Sequence, residues 1–165
     1  ITYLLKKYSV TKESFTLIYI DESSFNNHKR KRKKWVKKAL NNHFLDCGRI
    51  KSMSLILAVS NKKVMNFFLN RKANNAHTFK IFLKNLYKSI MSSKDTRYIY
   101  IYENNKICLL MDNATIHKTE LVKDYLKSTK FNVIYLPPYY PDLNSAEFAF
   151  RNMKIKFYKR NILHQ

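Results

Sequence analysis

Three runs of β-prone apolar residues constrain this chain most: Phe15 to Ile20 (FTLIYI), Met53 to Ser60 (MSLILAVS) and Ile107 to Met111 (ICLLM). They are continuous rather than alternating, so as strands they bury both faces. Strands of that kind need covering layers, which points to an α/β arrangement with helices packed on a sheet. None of the runs approaches the roughly 18 residues that span a bilayer, and no signal-peptide pattern opens the chain. A soluble protein with no membrane partner is expected.

The remaining elements follow from changes of period. From Asn75 onward, Phe79, Phe82, Leu83, Leu86 and Ile90 keep the spacing of one helical face, with lysines elsewhere. Tyr98 to Tyr102 (YIYIY) alternates and is expected as a strand and turn. Thr119 is expected to cap a short helix with Val122, Tyr125 and Leu126 inward, and Phe131 to Leu136 to form another strand. All three prolines fall in Pro137 to Pro141 (PPYYP), where fixed φ and missing N–H groups predict a stiff loop. A last helix starts near Asn144. It carries Ala146, Ala149, Phe150, Met153 and Phe157 inward and Lys154, Lys156, Lys159 and Arg160 outward.

Charge narrows the partners. The 165 residues carry 32 Lys and Arg against 11 Asp and Glu, a net +21 that a polyanion would offset. Hydrophobic residues at 45% exclude a disordered basic tail, so the charge decorates a folded body that binds nucleic acid. Lys29 to Lys38 (KRKRKKWVKK) concentrates eight of these cations around Trp35, in a stretch expected to span a hairpin between strands. Cys47 and Cys108 are too few and too far apart for a disulfide framework, which favours a reducing compartment. The chain opens on Ile1, as expected of a piece of a longer polypeptide.

Against this basic background, three carboxylates stand out. Asp21 and Asp112 each follow a buried strand, and reactive groups of α/β sheets gather at carboxyl ends of strands. Glu147 enters from the last helix after the proline-rich loop. Oxygen donors of this kind suit Mg²⁺, and a two-ion site serves phosphodiester chemistry. Each acid also has a plainer reading. The aspartates are suited to turns or caps, and Glu147, three residues after Asn144, is placed for a capping box. Glu22 and Asp142 are expected to be solvated or structural.

YIDESSF (Tyr19 to Phe25), MDNATIHK (Met111 to Lys118) and YLPPYYPDLNSAEF (Tyr135 to Phe148) resemble the three signatures of the mariner-type DDE transposase superfamily and its bacterial insertion-sequence relatives. Thirty-four residues separate Asp112 from Glu147, the spacing of one large branch of that family. Where the family usually has a proline after the asparagine of the third block and a tryptophan three residues beyond its glutamate, this chain has Ser145 and Phe150. The resemblance implies an α/β fold of the RNase H-like type, a central mixed sheet with helices packed on it as in retroviral integrases. It implies a catalytic domain over residues 15–165, with 1–14 as an N-terminal remnant or linker, and no end-recognition module ahead of Phe15.

It further implies that Asp21, Asp112 and Glu147 are catalytic and hold two Mg²⁺ or Mn²⁺ ions for cleavage of transposon ends and strand transfer to target DNA. Asn113 is a candidate to orient a cation-bound carboxylate or to cap the next helix. His117 and Lys118 are candidate DNA contacts, with a helix-surface histidine as the alternative for His117. Lys29, Arg30, Lys31, Arg32, Lys33, Lys34 and Trp35 are expected to meet phosphates. A homodimer or larger assembly on DNA is expected, in a nucleus or, for a bacterial host, the cytoplasm. The competing reading is an inactive or domesticated DNA-binding remnant of a transposase.

Overall fold

A computed structural model describes residues 15–25, 52–137 and 144–163. It contains the strands β1 (Thr16–Phe25), β2 (Met53–Ser60) and β3 (Val64–Asn70), the helices α1 (Ala76–Met91) and α2 (Thr96–Glu103), and strand β4 (Ile107–Met111). A 3₁₀ turn (Thr115–Lys118), α3 (Glu120–Lys127), β5 (Phe131–Tyr135) and α4 (Ser145–Leu163) complete it. One five-stranded mixed sheet has the order β3-β2-β1-β4-β5. The pairs β1–β2 and β2–β3 are antiparallel, whereas β1–β4 and β4–β5 are parallel.

Both sheet faces are covered, as the continuous apolar runs require. Ile18, Ile20, Ile56, Ala58, Ile107, Leu109 and Met111 point to one face, where they pack on Phe79, Phe82, Leu83, Leu86 and Ile90 of α1 and Val122 and Leu126 of α3. All five apolar positions of α1 anticipated from the period are fully buried. An Asn75–Thr78 capping box starts this helix: Asn75 Oδ1 accepts from the Thr78 N–H, and Thr78 Oγ1 accepts from the Asn75 N–H. On the other face, Leu17, Tyr19, Leu55, Leu57, Cys108 and Leu110 pack against Ala146 and Phe150 of α4, with Ala149, Met153 and Phe157 beside them.

Three expectations are corrected. Tyr98 to Tyr102 is helical, not a strand: Asp95 caps α2 by accepting from the Arg97 N–H, and Tyr98 and Tyr102, four residues apart, turn inward while Tyr100 stays 68% exposed. The alternation of aromatic with aliphatic residues concealed this i, i+4 pair. Thr119 occupies the cap position of α3 without a side-chain cap bond, its hydroxyl donating instead to the Ile116 carbonyl. β3 was not anticipated. It forms because a short turn at Ser60 to Lys63 reverses the chain, with the Ser60 N–H donating to Lys63 O and Ser60 Oγ accepting from the Lys63 N–H. The basic run, Pro138, Tyr139, Tyr140, Pro141, Asp142 and Cys47 lie outside the described residues.

Cys108 sits on β4 between β1 and β5, fully buried, and burial pushes its thiol up to about 12. A thiol held protonated and enclosed does not react. Maleimide labelling followed by peptide-resolved mass spectrometry is expected to spare Cys108 in the native protein and to modify it fully in denaturant. Native labelling at this residue would contradict the packing of β4.

Candidate active site

Strand register builds the site. β1 pairs with β2 as far as Phe25 opposite Met53, but its parallel ladder with β4 stops at Tyr19 opposite Leu110. β1 thus outruns β4, and Asp21 lies within the strand rather than at its end, which corrects the expected boundary. Continuing the Tyr19–Leu110 offset by two residues brings Asp21 level with Asp112, on strands that neighbour at about 4.8 Å. Side chains alternate, so Asp21 shares the face of Leu17 and Tyr19, and Asp112 that of Cys108 and Leu110. That face carries α4. Asn144, itself 2% exposed, accepts from the Ala146 N–H through Oδ1 and starts the helix, leaving Glu147 exposed in its first turn. There the helix dipole favours a negative charge.

The electrostatics show that the three acids share one neighbourhood. Burial raises the Asp21 carboxyl to about 7, against a hydrogen bond from the Glu22 N–H, and the negative charges of Glu147, Asp112 and Glu22 raise it further. Asp112 behaves oppositely. Its carboxyl is held below the ordinary range chiefly by a hydrogen bond from His117, despite partial burial, with help from the Ala114 N–H and the nearby Lys118 charge. Among the described residues, no group of three or more His, Cys, Asp or Glu side chains is arranged to hold a metal ion as it stands. The donor set nevertheless fits Mg²⁺ or Mn²⁺. It is oxygen-only and mutually repulsive, and Mg²⁺ commonly takes one or two carboxylates and completes its shell with water and substrate phosphates.

His117 departs from the sequence expectation. It is 2% exposed, so it does not lie on a helix surface or face phosphate in this structure. Nδ1 lies 2.9 Å from Asp112 Oδ1 and Nε2 3.1 Å from Glu22 Oε1, while Phe79 packs on the ring at 4.3 Å between centroids. Burial alone would lower its pKa, but the hydrogen bonds to Asp112 and then Glu22 prevail and push it up to about 9. Asn113 neither orients a carboxylate nor caps a helix; its Nδ2 donates to the Leu136 carbonyl, tying the end of β4 to the end of β5. The 3₁₀ turn instead has Ala114 at its cap position. Lys118 remains exposed, its Nζ 5.1 Å from the Tyr135 ring centroid. Lys29 to Trp35 lie outside the described residues.

Sequence reasoning left Glu22 aside as solvated or structural. Alternation does turn it from the Asp21 face, but there it meets His117, whose other nitrogen holds Asp112. Glu22 and His117 lie 95 positions apart, and no periodicity links them.

Known proteins match both sequence and fold. A family model described as DDE superfamily endonuclease matches residues 16–165. The Tc3 transposase of Caenorhabditis elegans is 33% identical over 61 residues, which are 37% of this chain and 18% of that protein. A pre-cleavage Mos1 transpososome superposes with a TM-score of 0.66 at 24% identity, over 91% of this chain and 45% of that one. The Mos1 catalytic domain with Raltegravir and Mg also gives 0.66, at 20% identity over 91% of this chain and 65% of that one. The chain therefore spans less than two thirds of each of these relatives. The shared architecture is the RNase H-like fold.

Proposed function

This chain belongs to the DDE superfamily of endonucleases, and from that premise we propose that it is the catalytic core of a transposase that cuts transposon ends and joins them to target DNA. One observation carries the reading. Asp21 on β1 and Asp112 just past the end of the adjacent parallel β4 continue the register of these strands to one level, on the side of the sheet from which α4 brings Glu147. Two aspartates at one level of one sheet face, electrostatically coupled to a third acid, are costly to a fold unless a cation uses them.

In this reading Asp21, Asp112 and Glu147 hold two divalent cations. Bound there, such ions act as Lewis acids on the phosphodiester, favour an ionised nucleophile and offset charge on the leaving oxygen. The protein supplies placement. The β1–β4 ladder ends at Tyr19 and Leu110, two residues before each aspartate, and so sets their level, while α4 positions the glutamate through its packed Ala146 and Phe150. No covalent protein intermediate is required, because positioning and electrostatics dominate such transfers. The strong positive charge of the chain, with Lys118 beside Asp112, draws the DNA phosphates to the acids. Mos1 transposase, whose solved forms include paired-end complexes with transposon DNA and with Mn, supports DNA ends as the substrate and more than one copy in the assembly.

The test uses the purified chain with end-labelled duplex carrying the inverted repeats that flank its reading frame. Nicking is expected with Mg²⁺ or Mn²⁺, none with chelator, and none by Asp112→Asn. Binding should weaken steeply with salt, with a slope of log K on log[salt] near −0.9 per neutralised phosphate. Equal nicking by Asp112→Asn refutes the site. Salt-sensitive binding with no metal-dependent nicking favours instead a DNA-binding remnant.

A further inference from the structure

We propose that Glu22 and His117 are positioning residues: the chain of contacts Glu22–His117–Asp112 locks the Asp112 carboxylate so that Oδ1 is committed to the protein and Oδ2 is presented to the divalent cation. The proposal rests on the reading of Asp112 as a cation ligand. It begins from a mechanical difficulty. Asp112 stands beyond the end of β4 with its side chain 52% exposed, and a carboxylate rotates readily about its last bond. A ligand so placed would lose orientational freedom on each binding event.

The structure removes that freedom beforehand. Both protein contacts of the Asp112 side chain fall on the same oxygen: the Ala114 N–H donates to Oδ1 at 3.0 Å, and His117 Nδ1 lies 2.9 Å from it while also meeting the Asp112 main-chain carbonyl at 3.3 Å. Among the described residues, Oδ2 receives no donor. His117 is itself immobilised: its ring is enclosed, packs on Phe79, and reaches Glu22 Oε1 through Nε2. Tyr135 Oη donates to the His117 carbonyl, steadying the 3₁₀ turn from β5. A carboxylate oxygen thus lies against each ring nitrogen.

Glu22 anchors the chain of contacts to β1, one residue from Asp21. The two aspartates are therefore related twice, through the β1–β4 ladder that ends two residues before each of them and, past the end of β4, through Glu22 and His117. Glu22 itself points away from Asp21 and need not touch a cation. Hydrogen-bonded partners behind a ligand fix its orientation, and their loss commonly lowers metal affinity 10- to 100-fold.

Mn²⁺ binding without DNA tests this, followed by electron paramagnetic resonance of the free ion. Glu22→Gln keeps the size and a carbonyl acceptor but removes the charge. It is expected to raise the Mn²⁺ dissociation constant about tenfold, while its melting temperature in chelator stays close to that of the wild type. In chelated ¹⁵N-labelled protein, the His117 Nε2 resonance should shift between wild type and Glu22→Gln. His117→Gln should lose at least as much affinity if it folds; Glu22→Gln, on a partly exposed side chain, keeps the test decisive if it does not. An unchanged Mn²⁺ constant in Glu22→Gln, beside a site that Asp112→Asn abolishes, overturns the positioning role alone. A wild type with no Mn²⁺ site sensitive to Asp112→Asn overturns the underlying reading, and this inference with it.

Discussion

Asp21→Asn is expected to yield a protein that is more stable and almost inactive. With Asp21 as the proposed ligand of a catalytic cation, its loss should reduce nicking about 10³-fold, since such sites supply several kcal/mol of transition-state stabilisation. The gain in stability has a separate origin. The Asp21 carboxyl stands at about 7 in the folded chain against the ordinary 3.8 of an aspartate, mainly through burial and then through Glu147, Asp112 and Glu22. Between these values the folded state binds the extra proton, so in metal-free protein stability falls as pH rises from about 4 to about 7, and remains low above that.

Asparagine keeps the acceptor for the Glu22 N–H but never ionises. At pH 8 in chelator, Asp21→Asn should be more stable by roughly 2–4 kcal/mol, a rise in melting temperature of about 5–10 °C. Mg²⁺ should then raise the melting temperature of the wild type more than that of the variant. Calorimetry with and without chelator reads both effects. A variant no more stable than the wild type at pH 8 would show that Asp21 bears no such strain.

The second large effect is in the core. Phe82 is fully buried on α1, against the sheet face that contains Ile18, Ile56 and Leu109. Phe82→Ala should cost about 3–5 kcal/mol by urea denaturation, from lost transfer energy and the cavity left behind. Tyr100→Ala, on the exposed side of α2, should change stability by less than about 0.5 kcal/mol. Comparable losses in the two variants would mean that α1 is not the main cover of this face.

The difference between these two residues also shows what could be read along the chain. Phe79 to Ile90 repeat at the helical period, and a period is a local property, so α1 and its buried face followed directly. The uninterrupted runs of β2 and β4 were equally plain, because burial on both faces removes alternation. Tyr98 to Tyr102 misled because five residues satisfy a two-residue period and an i, i+4 pair at once; Asp95, positioned to cap, favoured the helix. β3 escaped notice because its polar and apolar residues follow neither period cleanly.

The site divides along the same line. The candidate acids were legible, since Asp21 and Asp112 follow buried runs and Glu147 opens a helix in a strongly basic chain, within blocks that resemble a known family. Their approach was not legible, because the level at which β4 stops against β1 is set by the hydrogen-bonded register of strands whose paired residues, such as Tyr19 and Leu110, lie 91 positions apart. His117 shows the limit most clearly. Its place in a short block marked it as a phosphate contact, yet the 3₁₀ turn folds it under Phe79 and between two carboxylates. Local patterning records which residues want water and which do not; a histidine's partners depend on where distant strands end, and that is decided by packing.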